Sequence, residues 1–496
     1  MMKTPFYRRF GRAFAAGWQE MRMSSRGAYD AARTNRLLQD WIRQARTADE
    51  ELRAELKVLR ARSRDLARNN SYARRYFKLL QNNVVGPNGM MLRAQVWRGD
   101  DLDDAVNDAI EVTWNEWANS PVTLDGKLTL RRLEKLLLKT MACDGEAIVR
   151  VVGAPNSRFG FLLQPIDPDQ IDETYNRLAA GGENEIRMGI ELDQLDRVVG
   201  YWVWDRPQSG YSVTRRREFI PASEIIHLYD PDRVNQTRGI PWITSIMVPA
   251  HMLNAYEESE SVGARIGAAH GGWLVKRGEG LGIDLSDKTT PVPMQANPGT
   301  FQVVPDGYDP VPFAPQHPTA QFGAFVKQLL RKISSGMSVF YNILANDAEG
   351  VTYSTMRSFL LVERDDWRAI QQDFIDMWRR PLYRIWFDRA YTSGRLAVGR
   401  IGDEKPAVWL ARMHDSVIHR PRGWQWIDPE KEIKANVLAI QNGLATCTGI
   451  LAALGIEVED LYAERARELR LAKKYGIPIT GALPELAEDT KPEEEE

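Results

Sequence analysis

The sequence predicts an α+β chain, and three observations carry that reading. Apolar residues recur at helical spacing over long stretches, apolar and polar residues alternate in short runs between residues 146 and 204, and one proline- and glycine-rich segment separates two helical signals. With 496 residues and 43% hydrophobic content the chain can bury large cores, enough for two to four domains. A net charge of -2, from 65 basic and 67 acidic residues, excludes a protein that coats duplex DNA over its whole surface. Two cysteines, Cys143 and Cys447, exclude a disulfide framework and favour folding in a reducing, cytosolic setting. The start carries Arg8, Arg9 and Arg12 without an apolar core, which is unlike a secretory signal.

The elements follow in chain order. Residues 1–80 carry a net charge of +11, from 19 basic and 8 acidic residues. Thr47 and Glu50 form a capping box, and Leu52, Leu56, Leu59 and Leu66 mark one amphipathic helix. Asn69 and Asn70 interrupt it; Ser71 is read as the cap of a second helix through Leu80, stopped by Gly86 and Pro87. Glu146 to Val152, Phe159 to Leu163 and Gly189 to Leu192 read as strands, and Val198 to Trp204 as the return arm of a hairpin after Asp193 to Asp196.

Between Gly271 and Pro318, 48 residues hold 8 of the 26 prolines and 7 of the 37 glycines, so long helices are excluded there; short apolar runs occur at Trp273 to Val275 and Phe301 to Val304. Helices flank it: Thr244 to His270, its start expected to be delayed by Pro249, and Thr319 to Met337. In the second, Phe322, Phe325, Val326, Leu329, Leu330, Ile333 and Met337 share a stripe opposite Lys327, Gln328, Arg331 and Ser335. Phe340 to Val351 is a break. The longest helical signal runs from Ser354 to about Asp388, with Met356, Leu360, Trp367, Ile370, Phe374, Trp378 and Ile385 on one face and a kink expected at Pro381. Asp428 caps a last helical region with Pro429 in its first turn, continuing to about Tyr475. Ala435 to Val458 is apolar, but Gln441, Asn442 and Gly443 break it into two packed helices instead of a membrane span. Residues 481–496, with seven acids and Lys491, read as a solvated tail.

Sites for chemistry are sparse. There is no phosphate-cradling glycine loop, no dinucleotide fingerprint, no H-E-x-x-H and no C-x-x-C, so neither nucleotide hydrolysis, a cofactor nor a metal is expected. His414, Asp415 and Ser416 are adjacent, whereas a triad needs partners from separate elements. Asp428, Glu432 and Lys434 resemble the acid, acid and lysine set of metal-dependent nucleases, but capping and an exposed helix face explain them. The acids Asp100, Asp101, Asp103, Asp104 and Asp108 suit a helix N-terminus. Trp114 with Trp117, and Trp202 with Trp204, match helix and strand periods and read as core.

Taken together, the motifs resemble those of the lambda-type family of tailed-phage portal proteins. They are the helix text Arg62 to Asn70 followed by Asn82 to Gly86, then Asp144, Gly145 and Glu146, and the strand Gly189 to Asp193. Next come Ile225 to His227 leading to Gln236 to Pro241, and Val351 to Ser354 with Arg357. The densest match is Arg420 to Glu432, with Ala435 and Asn442 to Leu444 after it. The likeness covers roughly residues 30 to 475, in the family's order.

The resemblance implies a non-enzymatic portal fold arranged as a basic N-terminal arm (1–46), an α/β wing (47–240), a first stem helix (241–270) and a β/loop clip (271–318). A second stem helix (319–338), a tunnel loop (339–353), a long kinked helix with the wing return (354–429), a helical crown (430–480) and an acidic tail (481–496) follow. It implies a ring, usually of twelve copies, at one capsid vertex, through which double-stranded DNA enters in packaging and leaves in ejection. The implied partners are the terminase large subunit as the separate ATPase, major capsid and scaffold proteins, and head-completion or tail adaptor proteins; the implied locations are the virion and, during assembly, the host cytoplasm. Lining charges are multiplied by the number of copies and every neutralised phosphate tightens binding, so a sliding channel needs few cations. The lining candidates are Lys327 and Arg331 on the stem and Asn346, Asp347 and Glu349 in the tunnel loop. Alternatively, Lys327 and Arg331 pair with acids of a neighbouring subunit. Rival readings are a nuclease using Asp428, Glu432 and Lys434, and a monomeric head scaffold or adaptor.

Overall fold

The first described helix begins where its own side chains close the end. In the computed structural model, which describes residues 45–206, 215–268, 272–276, 308–312, 321–399, 405–425 and 428–476, Thr47 Oγ1 accepts from the Glu50 amide at 3.3 Å. Glu50 Oε2 in turn accepts from the Thr47 amide at 3.0 Å. The resulting helix α1 (Ala48–Asn69) buries Leu52, Leu56 and Leu66. The next helix, α2 (Ser71–Leu80), is capped by Asn70 and not Ser71: the Asn70 side chain accepts from the Ala73 amide at 2.8 Å while Ser71 is already in the helix. A π-turn at Gln81–Val85 extends it to Gly86, whose φ of 74° ends the run. Strand β1 (Met91–Ala94), the short hairpin β2 (Trp97–Arg98) and β3 (Asp101–Leu102), and helices α3 (Asp104–Asn119) and α4 (Leu130–Asp144) complete the helical layer.

Strand β4 (Glu146–Gly153) is central because it faces two cores. Successive side chains of a strand point to opposite faces: Ala147, Val149 and Val151 pack into the large helical core, and Ile148 into a second core. It lies between β5 (Phe161–Ile166) and β10 (Ile225–Tyr229) in an antiparallel three-stranded sheet. A second antiparallel sheet, β6 (Glu185–Arg187), β7 (Ile190–Leu192), β8 (Val198–Trp204) and β9 (Arg217–Pro221), covers the Ile148 side with Ile190, Leu192, Tyr201, Val203 and Ile220. The strand at 161–166 starts two residues after the expected Phe159, because Ala154 and Gly160 close a turn, the Ala154 amide donating to the Gly160 carbonyl.

Helix α5 (Met247–Ala268) starts before Pro249, not after it. Proline fits the first helical turn, where its missing N–H would have no partner, and a 3₁₀ turn at Thr244–Ile246 leads in. Strands β11 (Gly272–Lys276) and β12 (Tyr308–Pro312) pair antiparallel; the rest of 271–318, including Phe301 to Val304, lies outside the described residues, as do 1–44 of the basic arm and the acidic tail. Helix α6 (Phe322–Gly336) packs antiparallel against α5, with Tyr256 over Phe322 and Phe325 at 5.5 and 5.1 Å. The segment read as a break contains a short helix, α7 (Tyr341–Ala345).

The long helical signal is continuous and not cut at Pro381: α8 (Tyr353–Phe374) passes through a π-turn at Ile375–Arg379 into α9 (Arg380–Thr392). A proline ring clashes with the carbonyl four residues back and lacks a donor; the wider π-turn just before it absorbs both faults without breaking the rod. Helix α10 (Pro406–Asp415) leads to β13 (Val417–Arg420), which returns to pair with β1 more than 300 residues upstream. Trp114, Trp117, Trp367, Trp378, Trp386 and Trp409 are buried in the large core with Tyr383 and Phe387, where the edge-on pair Trp114 and Trp386 lies at 5.0 Å. The last helices are α11 (Pro429–Gln441), α12 (Cys447–Ala453) and α13 (Val458–Tyr475). No described helix is long and apolar enough to cross a membrane.

Candidate functional site

Several of the motifs scattered along the chain meet at two junctions. At the first, Glu146 is fully buried and holds two arginines and a histidine. Arg60 reaches it at 2.6 Å, Arg238 grips both its oxygens, and His227 Nε2 sits 3.0 Å from Oε2. Arg238 also donates to the carbonyls of Met188 and Pro168, and Arg64 binds Asp144 through two nitrogens at 2.8 and 3.0 Å. Burial alone would raise the Glu146 carboxyl, but Arg238 and Arg60 outweigh it and hold the group well below the usual carboxylate range. Gly145 and Gly239 let the two backbones touch: a Cβ on Gly239 would lie 2.0 Å from the Gly145 carbonyl oxygen.

The second junction ties the return of the chain to its beginning. Asn83 Oδ1 accepts from Trp424 Nε1 at 3.2 Å and from Arg422 at 3.3 Å; Gln371 Nε2 donates to the Asn83 and Arg422 carbonyls at 2.8 and 3.1 Å. Gly423 lies against the 453–455 backbone, where a Cβ would come within 2.3 Å of the Leu454 carbonyl carbon. Both junctions set backbone against backbone, which is what contacts that build a fold do; Ile240 and Pro241, beside the first, also border an open cleft of about 610 Å³.

The candidates on α6 and in the segment after α7 form a third group, which is open to solvent. Lys327 Nζ lies 3.0 Å from Asp347 Oδ2 and 3.8 Å from Glu349 Oε2. The Tyr341 hydroxyl donates to the same Asp347 oxygen at 2.6 Å, and Asp347 Oδ1 accepts from the Glu349 amide at 2.9 Å. Arg331 lies over the Tyr341 ring at 5.7 Å and has no carboxylate partner among the described residues. Asn346 takes a left-handed conformation, φ 53°, which ends α7 and turns the chain back toward Lys327. Lys327, Arg331, Tyr341 and Glu349 border a cleft of about 590 Å³ that Ser334, Ser335 and Ser338 also line. Lys327 is thus paired within its own chain, a partner sequence spacing did not reveal, because the capping turn at Asn346 decides where Asp347 points.

The hydrogen bond from Tyr341, with those from the Glu349 amide and Lys327, lowers the Asp347 carboxyl to about 2. A depressed acid contributes its tie above its ordinary range and loses it as pH falls through the folded value. The tie is therefore complete at neutral pH and released only between the normal aspartate range and about 2. Asp347→Asn should accordingly raise amide exchange in residues 341–350 at pH 7, while wild type shows that rise only in strong acid.

The remaining candidates disperse. His414 contacts Asp388 at 2.7 Å and Asp415 pairs with Arg384, so the triad letters point to different partners. Asp428 caps α11 by accepting from the Lys431 amide, Lys434 pairs with Glu430 at 2.6 Å, and Glu432 lies 3.5 Å from Arg357. Asp103 caps α3 and binds Arg98 at 2.6 Å. Among the described residues no group of three or more His, Cys, Asp or Glu could hold a metal ion.

With both junctions in view, the order of the motifs can be compared with known proteins. The family model described as "Phage portal protein, lambda family" matches residues 34–371. The chain belongs to that family. It is 30% identical over 466 residues to the "Probable portal protein" of Halomonas phage phiHAP-1, covering 91% of this chain and 88% of that one. It is 22% identical to the portal protein of Escherichia phage N15, over 89% of each chain, and 21% identical to portal protein B of Escherichia phage lambda, over 89% and 88%. A chain of a gene transfer agent virion aligns at TM-score 0.42 and 14% identity, covering 81% of this chain and 93% of that one, a likeness too slight to build on. The family is structural and non-enzymatic, so a portal role in a phage particle replaces the nuclease reading.

Proposed function

We propose that this portal protein assembles into a closed ring, of about twelve copies, at one capsid vertex, and that its work is geometric. The observation that carries the ring is apolar surface that one chain leaves uncovered. On α5 the residues Val248, Met252, Ala255 and Val262 recur along one exposed stripe, with Met252 63% exposed. The terminal helices likewise expose Leu438, Tyr462 and Leu471, the turn after α11 exposes Leu444, and α11 buries no residue. Such faces on a soluble particle component are faces for other copies.

In this reading α5 and α6 form the stem, with 271–318 as the clip that meets the terminase large subunit and later head-completion or tail adaptor proteins. Residues 47–240 form the wing, the long helix and return cross it, and the crown of 430–480 points into the capsid among major capsid and scaffold proteins. Double-stranded DNA passes the tunnel loop, 339–353. Of the two basic lining candidates, Lys327 is neutralised there by Asp347 and Glu349, which leaves Arg331. Few free cations per copy suit sliding better than a phosphate clamp would. The energy of translocation comes from the separate terminase ATPase.

Native mass spectrometry with class-averaged electron microscopy tests this. The expected species is a ring of about twelve 56.5 kDa chains around a hole wide enough for duplex DNA. A monomer or dimer that persists when capsid scaffold protein is added would overturn it. Within the ring, Arg331→Ala should shorten the retained genome; unchanged packaged length removes Arg331 from the lining.

A further inference from the structure

Two clefts of opposite charge lie on opposite sides of helix α2. The first is lined by Arg68, Arg74, Lys78 and Lys139, with Phe77 and Gln81 at its floor. Lys135 and Arg131 extend it, close enough that burial, Arg131 and Lys78 all push the Lys135 ammonium down from its usual range. Arg68 has only a distant Asp65 at 3.9 Å, and no carboxylate pairs with Arg74, Lys78 or Lys139 among the described residues.

The second cleft, about 610 Å³, is lined by Asp230, Asp232 and Asp366 beside Tyr76, Trp242 and Trp367. Asp373 stands near: burial, Asp373 and Asp232 together hold the Asp230 carboxyl above the usual range. None of these four carboxylates is paired with a cation among the described residues, although the chain pairs most of its other wing acids internally. Exposed Leu361 and Val362 of α8 precede Asp366 within two turns, and exposed Leu136 adjoins Lys135, so each charged cleft has an apolar neighbour.

The arrangement across α2 follows from helix geometry. Residues advance by roughly 100° each, so Arg74 and Lys78 are about 40° apart while Tyr76, on the aspartate side, is about 200° from Arg74. One side of a single helical layer is therefore basic and the other acidic. A ring is built from heterologous contacts, in which two different and complementary surfaces on opposite sides of one subunit meet.

We propose that these clefts are the two halves of the subunit contact, the basic cleft of one copy receiving the aspartate-lined cleft of the next. The inference rests on the ring reading above and specifies which surfaces close it. Unpaired like charges within each cleft destabilise the isolated chain, and docking relieves both sets at once. It also accounts for a chain of nearly zero net charge keeping strongly charged, unpaired patches.

Two full-length variants test it. One reverses the basic side, Arg74→Glu with Lys78→Glu; the other reverses the acidic side, Asp230→Lys with Asp232→Lys. Each alone should need at least about tenfold more protein to form rings, since like-charge juxtaposition opposes docking. Mixed in equal amounts, they should co-assemble into rings in which the two alternate, an outcome only folded chains can give. Wild-type rings should loosen as salt is raised. The proposal is overturned if each variant forms rings alone at wild-type concentration, or if wild-type rings are indifferent to salt. It is also overturned if the basic reversal leaves rings intact and weakens only DNA binding, which would make that cleft a nucleic-acid contact. If the wild-type chain forms no ring with scaffold present, the ring reading itself fails.

Discussion

Glu146→Ala lowers the unfolding free energy of the chain by about 3–5 kcal/mol, the cost of leaving buried charge without its partner. Arg60 and Arg238 are 1% and 0% exposed, so neither can reach water when the carboxylate is gone. His227 loses its one carboxylate contact among the described residues. The expected readout is a large drop in the urea midpoint and early protease cleavage within residues 47–240. A midpoint near that of wild type would mean that backbone acceptors, such as the Met188 and Pro168 carbonyls, suffice for Arg238. Acid should mimic the substitution late: the depressed carboxyl keeps its contribution above the ordinary glutamate range and gives it up only as pH falls well below it.

Gly239→Ala has a comparable effect through sterics, at about 3 kcal/mol or more. The added methyl would stand 2.0 Å from the Gly145 carbonyl oxygen, 2.6 Å from its carbon and 2.9 Å from Tyr229 Cβ, so backbone must move. Gly145 cannot yield easily, because its neighbours Asp144 and Glu146 are held by Arg64, Arg60 and Arg238. The movement would separate Asp144 and Glu146 from their arginines, so the two substitutions should be less than additive in a double variant. Thermal unfolding of both single variants and the double variant measures this; full additivity would show that the glycine contact and the charge cluster act independently.

Several elements were legible in the sequence because their causes are local. The Thr47 and Glu50 capping box, the hairpin arm Val198 to Trp204, the amphipathic stripe of α6 and the Asp428 cap before Pro429 each depend on residues within a few positions. The family likeness was legible too, since Asp144 to Glu146 and Gln236 to Pro241 keep their order within the matched residues 34–371; Arg420 to Glu432 lies beyond that match. Errors arose where a local rule had two solutions. Ser71 and Asn70 are both good caps, and Asn70 is chosen because its amide nitrogen also donates to Asn254 at 2.8 Å, 184 residues away. Pro381 could break the helix or be absorbed; packing of Trp378, Leu382 and Trp386 in the core holds the rod together.

By itself, then, the sequence determined the α+β class, the helical and strand text, the lack of nucleotide and metal motifs, and membership in a non-enzymatic family. Only the tertiary structure decided that Lys327 spends its charge on Asp347, that the family motifs are buried junctions, and that unpaired cations and aspartates gather on opposite sides of α2. The reason is physical: periodicity and capping act over one or two turns, whereas a charge's partner is set by which segments the folded core brings within a few ångströms, and that distance is not written in spacing along the chain.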